Sequence, residues 1–338
     1  MTGPHRLVLG TLPFALLPPT EAFRLLDTFV EAGGAAVDTA SMYGFGHVET
    51  LVGAWLRRVG PVAAVNTKIG YFADPDDHRD AAKLADAVGR SVERLGVVPQ
   101  RVLLHEADWA CWWRTGAPAG AVEPMPPDAS VPAWCRLREL ANELGFRPGL
   151  SGNHAAALGR AARQLGASSV LVAKQYDLLW RDAECLLTDD LGEVLLAAPF
   201  HQGRLFDLAA LAAAERGNDP LLAEAALRLS ELLGRHGVAP AEVALPWVLS
   251  ESRAAAVCVG VANRAELDAV LDATSRPIDP SLRSALARVG IRRAPMPGPA
   301  LGPEYLAAAR RWSAVLKKES RDDESPVPEA CLRGRRPG

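Results

Sequence analysis

Short apolar runs of strand length alternate with longer helical patterns through most of the chain, and this alternation limits the fold more than any other property of the sequence. The strand-like runs cover residues 6–12, 35–38, 63–68, 101–105, 147–151, 169–175, 193–198 and 255–259. Helical patterns occupy residues 21–32, 48–58, 79–95, 131–144, 155–165, 182–191, 221–233, 240–249, 265–273 and 278–291. Nearly continuous apolar strands separated by helices are typical of parallel sheets that are covered on both faces. The sequence therefore predicts an α/β fold.

Ionisable side chains end three consecutive strand-like runs in the first third of the chain. Asp38 ends the second run, Lys68 the third and His105 the fourth. Tyr43 follows Asp38 in a loop punctuated by glycines. Because the carboxyl ends of parallel strands meet at one edge of a sheet, we expect these four side chains to form one site. Taken singly, Asp38 and Lys68 also fit a buried structural ion pair, and His105 fits a hydrogen-bonded core histidine.

These residues and their contexts resemble the Asp-Tyr-Lys-His tetrad of the aldo-keto reductase family. Asp38 and Tyr43 lie in a segment of the form DTAxxYGxGxxE. Lys68 follows a threonine and is followed two residues later by a glycine, and His105 ends a Leu-Leu-His strand. Glu49, which ends the first of these segments, is interpreted as a cap or a loop anchor. The resemblance extends from about residue 6 to about residue 297.

The resemblance implies a single-domain (β/α)8 barrel, or TIM barrel, over residues 1–297, with its site at the carboxyl ends of the strands. Eight strand–helix pairs are the natural count for that closure. Residues 298–338 are expected to form a C-terminal extension, with a helix over residues 304–318 and then a disordered polar tail.

Each member of the tetrad has an implied role in oxidoreduction. Tyr43 would protonate the substrate oxygen during reduction and accept the proton during oxidation. The Lys68 ammonium would lower the pKa of this phenol from its usual value of about 10, and Asp38 would keep Lys68 charged. His105 would orient the substrate oxygen or share the proton with Tyr43. The hydride would come from a nicotinamide, because no side chain can supply one.

NAD(P) is therefore the predicted cofactor, with implied contacts in three regions. They are Ser151 and Asn153 at the carboxamide, Gly203 and Arg204 at the pyrophosphate, and Gly260, Asn263, Arg264 and Glu266 at the adenine end. We expect NAD more than NADP, because the Glu266 carboxylate can accept from a ribose 2′-hydroxyl and would repel a 2′-phosphate. Arg264 acts against this expectation, since a guanidinium can bind a phosphate.

The sequence departs from the common family pattern at two cofactor positions. Ala173 stands where many members have a glutamine that binds the carboxamide, and Ala197 stands where many have a tyrosine that stacks on the nicotinamide. With residues 172–179 and 197–203, these departures resemble the branch of sugar dehydrogenases that act on L-galactose, L-fucose or D-threo-aldoses. The implied reaction is oxidation of a sugar at C1 with NAD. Reduction of a keto-sugar or an aldehyde is the close alternative, and a non-catalytic, cofactor-binding regulatory subunit is another.

A long connection after the His105 strand carries three tryptophans. Residues 106–132 hold Trp109, Trp112 and Trp113 together with several prolines. Loops of this length inside a domain are usually functional or disordered. We interpret this one as a substrate-side loop, in which Trp109 and Trp112 contact the substrate together with Phe72 from the loop before. A packing cluster or a partner patch is the alternative.

Charge and cysteine content disfavour several other classes of function. The net charge of −3 offers no basic surface for nucleic acid. Five cysteines without CxxC spacing indicate neither a metal site nor a disulfide framework. The sequence shows no targeting segment and no apolar run of the roughly 18 residues that a membrane span needs. We therefore expect a cytoplasmic enzyme, bacterial by its alanine- and arginine-rich usage, that acts on a small molecule as a monomer or a homo-oligomer.

Overall fold

Eight parallel strands in the computed structural model of the protein close into one barrel, which confirms the predicted α/β class and the (β/α)8 architecture. The structure describes residues 6–123, 125 and 127–291. The strands are β1 (Leu7–Gly10), β2 (Ala36–Asp38), β3 (Ala64–Ile69), β4 (Arg101–Leu104), β5 (Arg147–Gly152), β6 (Ser169–Ala173), β7 (Glu193–Ala197) and β8 (Ala256–Gly260). Each strand pairs with the next, and β8 pairs with β1, so none of the eight has a free edge.

Helices surround this barrel in the described part of the chain. They are α1 (Pro19–Glu31), α2 (His47–Val59), α3 (Ala81–Leu95), α4 (Pro132–Leu144), α5 (Ala155–Leu165), α6 (Leu208–Glu215), α7 (Pro220–His236), α8 (Pro240–Leu249), α9 (Arg264–Ala273) and α10 (Pro280–Val289). Several begin where an acidic or amide side chain accepts from the first-turn N–H groups, namely at Asp80, Asp207, Asp219, Asn263 and Asp279. These caps fix the starts of the helices after the barrel loops.

One helix prediction was wrong. The segment predicted to be helical at residues 182–191 is a short 3-10 helix at Asp182–Leu186. Arg163 of α5 binds the end of this segment through the Asp190 carboxylate, with Nε 2.6 Å from Oδ2. The chain then turns at Gly192, where a Cβ atom would lie 2.3 Å from the Ser168 carbonyl oxygen. The turn therefore ends the segment before a full helix can form. The predicted C-terminal extension lies outside the described residues and stays a prediction.

Two apolar layers stabilise the barrel. The larger layer lies between the strands and the surrounding helices. The smaller layer fills the barrel interior and is formed by Val8, Leu103, Leu171, Leu195 and Cys258. Side chains alternate between the two faces of a strand, so a residue in register with one of this inner set also points into the barrel. Register therefore decides which polar strand residues reach the interior.

Candidate active site

Strand register brings Asp38 and Lys68 to one rim of the barrel. Lys68 of β3 is in register with Leu103, a member of the inner layer. Asp38 ends β2 and is in register with Asn66, which lies two residues before Lys68 on the same face of β3. Both charged side chains are almost fully buried, with 2% of Asp38 and 3% of Lys68 exposed. His105 follows β4 directly, and its backbone N–H donates to the Ile69 carbonyl at 2.8 Å.

The Lys68 ammonium connects the members of this cluster. Its Nζ donates to Asp38 Oδ1, to the Thr39 carbonyl oxygen at 2.9 Å and to the Tyr43 hydroxyl at 3.2 Å. An ammonium has three N–H donors, so these three contacts use all of them. The His105 ring lies edge-on to the Tyr43 ring, with centroids 6.1 Å apart. The structure therefore brings all four tetrad candidates together at the carboxyl end of the strands.

The loop that carries Tyr43 is held by a buried carboxylate, Glu49, in the first turn of α2. Its oxygens accept from Thr67 Oγ1 at 2.5 Å, Ser91 Oγ at 3.2 Å and Arg94 Nε at 2.8 Å. Thr67 precedes Lys68 in β3, so this network ties the start of α2 to the strand that carries the ammonium. The contacts support the interpretation of Glu49 as a loop anchor.

The pKa of Tyr43 beside Lys68 differs from what the sequence suggested. Burial raises the pKa of Tyr43 to about 12, and the nearby Lys68 ammonium offsets only part of that effect. The expectation of a lowered phenol pKa was therefore wrong, because desolvation outweighs the attraction of the ammonium. Burial lowers the pKa of Lys68, but the Asp38 carboxylate and the Tyr43 hydroxyl more than compensate and leave it raised. At neutral pH the site therefore holds a neutral phenol beside a charged ammonium.

His105 is a neutral imidazole at neutral pH. Burial, reinforced by the positive charge of Lys68, holds its pKa well below the ordinary value for histidine. Its Nδ1 atom is buried and has no hydrogen-bond partner among the described residues. A buried N–H without an acceptor is rarer in proteins than a buried acceptor without a donor, which favours the tautomer with the proton on Nε2. Nε2 can then serve as a hydrogen-bond donor.

The tryptophans after β4 pack behind the site. Trp112 is 0% exposed, and its indole Nε1 donates to the His105 carbonyl at 2.8 Å. Trp113 is also buried, and its Nε1 donates to the Ala107 carbonyl at 2.9 Å. The position of these two rings is that of a packing cluster, which was the alternative interpretation of the loop. Trp112 therefore supports His105 from behind and offers no surface of its own to a substrate.

Tyr71 faces His105 from the side and belongs to a group of aromatic rings from two loops. The Tyr71 ring lies edge-on to His105 with centroids 4.7 Å apart, and edge-on to Trp109 with centroids 5.1 Å apart. Phe72 is half-buried and lies 6.3 Å from the Trp112 ring centroid. Half-buried Tyr71 and Phe72 are therefore candidates for substrate contact, whereas Trp109 is buried and supports Tyr71 from the side. The sequence-based prediction omitted Tyr71, although it directly follows Gly70 at the end of the Lys68 strand.

The two carboxamide-side candidates lie at the end of β5. Ser151 is buried, and its hydroxyl donates to the Leu104 carbonyl at 3.0 Å. Asn153 is half-buried, and its side-chain Nδ2 donates to Glu106 Oε2 at 2.6 Å. Its backbone N–H donates to Asp108 Oδ2 at 2.9 Å. Within the described residues Asn153 therefore has its oxygen atom available to a ligand, whereas the Ser151 hydroxyl is engaged by the barrel backbone.

The candidates at the other end of the predicted nucleotide are exposed except for half-buried Gly203, and their charged and amide side chains make local contacts. Arg204 pairs with Glu215. Asn263 is the N-cap of α9, and its side-chain oxygen accepts from the Glu266 N–H at 2.9 Å. Glu266 Oε2 in turn accepts from the Ala262 N–H at 2.7 Å. Arg264 Nε donates to Asp268 Oδ1 at 2.8 Å. Gly203 has a left-handed φ of 86°, and Gly260 ends β8.

Left-handed backbone is concentrated at this end of the barrel. All seven non-glycine residues with positive φ in the described part of the chain lie in the loops after β2, β3, β4, β6 and β7. They are Phe45, Tyr71, Glu106, Lys174, Ala198, His201 and Gln202. Such conformations are unfavourable for residues with a Cβ atom and cluster at functional sites. Within the described residues, unfavourable backbone conformations are therefore concentrated in the loops at the carboxyl ends of the strands.

Two buried acids beside the tetrad were absent from the sequence-based prediction. Glu106 and Asp108 follow His105 within three residues, and both are buried. Burial raises the pKa of Glu106, and burial together with the charge of Glu106 raises the pKa of Asp108 to about 8. Asp108 Oδ1 is buried and has no hydrogen-bond partner among the described residues. The signal in the sequence was the pair of acids directly after a strand-end histidine.

The raised pKa of Asp108 predicts a pH-dependent difference in stability between the wild-type protein and Asp108→Asn. In the unfolded chain the carboxyl loses its proton near pH 4, whereas the folded protein retains it up to a pH of about 8. Between these values the folded state binds more protons than the unfolded state, so wild-type stability falls as the pH rises. The variant lacks this titration. We expect its Tm relative to wild type to increase by a few degrees between pH 5 and pH 9. If the Tm values of the two proteins changed with pH in the same way, the conclusion that folded Asp108 retains its proton up to a pH of about 8 would be contradicted.

Other classes of site find no support in the described residues. Within the described ranges, no group of three or more His, Cys, Asp or Glu side chains is arranged to hold a metal ion. None of the helices that the structure describes has the length and apolarity needed to cross a membrane. The described cysteines, Cys111, Cys135, Cys185 and Cys258, are free.

Comparison with known proteins identifies the family. The model of the Aldo/keto reductase family matches residues 6–289. A comparison with curated protein sequences finds no match. Among solved structures, the chain is similar to aldo-keto reductase AKR11C1 from Bacillus halodurans in its holo form, with a TM-score of 0.62, 20% sequence identity and coverage of 84% of this chain and 91% of that chain. At this identity the structural likeness shows the fold alone. The family match spans most of the sequence, and the chain therefore belongs to the aldo/keto reductase family of oxidoreductase enzymes.

Proposed function

We propose that this enzyme uses NAD to oxidise a sugar hydroxyl, with Tyr43 as the proton acceptor, and catalyses the reverse reduction with Tyr43 as the proton donor. Family membership supports NAD(P)-dependent oxidoreduction of a hydroxyl or carbonyl substrate. The observation that carries the role of Tyr43 is the 3.2 Å hydrogen bond that it accepts from the Lys68 ammonium. This contact gives the phenol a charged neighbour that can stabilise it after proton loss.

The residues near the tetrad fit a nicotinamide. Asn153 Oδ1 makes no hydrogen bond within the described part of the chain, and its amide lies on the carboxyl side of β5, beside the loop that follows His105. An amide oxygen matches the NH2 group of a carboxamide. Asn153 would therefore hold the carboxamide, and the bound group would supply the hydride that no side chain can provide.

Proton transfer is the part of the reaction that the chain itself performs. In reduction, the neutral Tyr43 phenol donates its proton to the substrate oxygen as negative charge develops there. Lys68 stabilises the resulting phenolate, and Asp38 keeps Lys68 charged throughout. His105 is neutral, so we assign it to orienting the substrate oxygen by hydrogen bonding and not to supplying a proton. In oxidation the same steps run in reverse.

The charges at the start of α9 support NAD over NADP. The Glu266 carboxylate lies in the first turn of α9, bound to the Ala262 N–H and to Asn263. A fixed negative charge there repels a 2′-phosphate. Arg264 could counter this effect, but its guanidinium is engaged by Asp268 and by the Thr28 hydroxyl. The cation that would have to bind the phosphate is therefore already paired with a carboxylate.

Aromatic rings beside His105 support a sugar as the substrate. Tyr71 lies against His105, Trp109 packs on Tyr71, and half-buried Phe72 packs on Trp112, so aromatic surface adjoins groups that can form hydrogen bonds. The departures at Ala173 and Ala197, which resemble the sugar 1-dehydrogenase branch, agree with this assignment. We therefore propose an aldose that is oxidised at C1.

The test is a turnover screen on the purified protein. Nicotinamide absorbance is followed with NAD and NADP against aldoses, and with the reduced forms against keto-sugars and aldehydes. We expect the highest kcat/KM with NAD and an aldose. Turnover only with keto-sugars or aldehydes would contradict the proposed oxidation of an aldose and support a reductase instead. Nucleotide binding without turnover on any substrate would favour a cofactor-binding subunit, and absence of binding for both nucleotides would overturn the proposal.

A further inference from the structure

Glu106 is a buried acceptor placed directly beside His105. Only 8% of its surface is exposed, and its backbone has a left-handed φ of 53°. Its Oε1 accepts from the Tyr71 hydroxyl at 2.9 Å, and its Oε2 accepts from Asn153 Nδ2 at 2.6 Å. Burial raises the pKa of Glu106, whereas the two donors aimed at its carboxylate act in the opposite direction and favour the ionised form. Glu106 thus contacts Asn153, the residue proposed to hold the carboxamide, from an unfavourable backbone conformation.

Asn153 is held from a second direction by Asp108. Its backbone N–H donates to Asp108 Oδ2 at 2.9 Å. The preceding residue is Gly152, where a Cβ atom would lie 2.3 Å from Asp108 Oδ1. Only glycine permits this approach, so the backbone of Asn153 is fixed while Glu106 fixes its side chain. Neither acid belongs to the tetrad.

The Glu106 contact determines which end of the Asn153 amide faces a ligand. An ionised carboxylate only accepts hydrogen bonds, so the NH2 end of the amide must point to it. The oxygen end is left for the ligand and makes no hydrogen bond within the described residues. An oxygen acceptor can bind an NH2 group, but it repels a carboxylate. Two cations, Lys174 and Lys68, act on Glu106, and both favour the ionised form of its carboxyl group.

We propose that Glu106 is a positioning residue that fixes the Asn153 amide with its oxygen toward the ligand, and that the site thereby selects a pyridine carboxamide over a pyridine carboxylate. This inference rests on the proposed function, because it requires a nicotinamide dinucleotide to bind beside Asn153. It adds a residue and a ligand preference that the tetrad does not explain. The preference is a property of binding and needs no turnover to be observed.

The experiment compares the binding of two dinucleotides that differ only in this group. NAD and nicotinic acid adenine dinucleotide are titrated at pH 8 into the wild-type protein and into Glu106→Gln, Asn153→Ala and the double variant, with isothermal calorimetry as the readout. We expect wild type to bind the carboxamide form at least about tenfold more tightly, since leaving a buried polar group without a matching partner costs about this much or more. The glutamine in Glu106→Gln can face either end of the Asn153 amide, so the preference should fall to about twofold or less.

The variants separate positioning from general damage. Asn153→Ala should reduce the preference as much as Glu106→Gln. The double variant should reduce it no further, because both changes act through the same contact between Glu106 and Asn153. Glu139→Gln is the matched control, since Glu139 is an exposed residue of α4 whose partner is Arg136. It should retain the wild-type preference.

The outcomes distinguish this inference from the function on which it rests. Wild-type protein that binds neither dinucleotide would overturn the proposed function and this inference together. Wild-type protein that binds both equally would overturn the inference alone, even if Glu106→Gln fails to fold. A folded Glu106→Gln variant with an unchanged preference would do the same. A preference lost in both single variants and not reduced further in the double variant would support it.

Discussion

Turnover of Tyr43→Phe is expected to fall by a factor of about 10² to 10⁴, the usual contribution of a general acid or base. The change removes the hydroxyl and retains the ring that lies beside His105 and under the Lys68 ammonium. The phenol is the tetrad group suited to donate a proton as charge develops on the substrate oxygen, because Asp38 is held by the Lys68 ammonium and the N–H of neutral His105 is a much weaker acid than a phenol. The affinity for the nucleotide should therefore stay within about twofold, since the hydroxyl contributes to the transition state more than to binding.

The measurement is steady-state kinetics with the substrate found in the turnover screen, together with nucleotide titration. Tyr176→Phe is the matched control, because its hydroxyl donates to Glu251 at 3.2 Å and lies outside the tetrad. The control should retain turnover. A Tyr43→Phe variant with more than about a tenth of the wild-type kcat would contradict the assigned role.

The pKa of Tyr43 adds a pH criterion to this prediction. With a folded-state pKa of about 12, the phenol is protonated throughout the neutral range, so reduction should not lose activity by titration of this group below pH 9. Oxidation needs the phenolate or a proton acceptor beyond it, so its rate should increase with pH across the same range. A reduction rate that falls with a midpoint near neutral pH would point to a different proton donor.

The alternation of strand and helix patterns was sufficient to predict the fold because each buried parallel strand is a short apolar run that sequence alone reveals. β5 at Arg147–Gly152 and α5 at Ala155–Leu165 lie within one residue of the predicted bounds. The segment at residues 182–191 failed because a turn held by Arg163, which is distant in the sequence, replaces the helix. The local spacing of apolar residues does not reveal such contacts between distant elements.

The candidate site was predictable to the extent that strand ends determine it. Asp38 ends β2, Lys68 is the next-to-last residue of β3 and His105 follows β4, and parallel pairing brings such positions together. The pKa of Tyr43 was not predictable, since it depends on how deeply the phenol is buried as well as on its charged neighbour. The contact between Glu106 and Asn153 joins residues 47 positions apart and depends on a left-handed backbone turn. No sequence pattern indicated that the Asn153 amide nitrogen would donate to the Glu106 carboxylate.

Lys68→Met is expected to destabilise the protein by about 3–5 kcal/mol, because it leaves the Asp38 carboxylate buried without its counter-ion. Asp38 is 2% exposed, and its second oxygen already lacks a hydrogen-bond partner in the described part of the chain. Urea unfolding at pH 7 measures the loss. Lys83→Met is the control, since Lys83 pairs with Asp77 at the surface with 53% of its side chain exposed. Such a surface pair contributes at most about 1 kcal/mol.

A second substitution separates the charge from the packing. Burial raises the pKa of Asp38, so without the ammonium its charged form is a penalty at high pH that is relieved as the pH falls and the carboxyl takes up a proton. The stability deficit of Lys68→Met should therefore narrow toward acidic pH. Asp38→Asn added to Lys68→Met removes the charge at every pH and should restore most of the lost stability at pH 7. Turnover should stay low in both variants, because neither has an ammonium to stabilise the Tyr43 phenolate. A double variant as unstable as Lys68→Met would mean that packing of the lysine stem, and not its charge, stabilises this rim of the barrel.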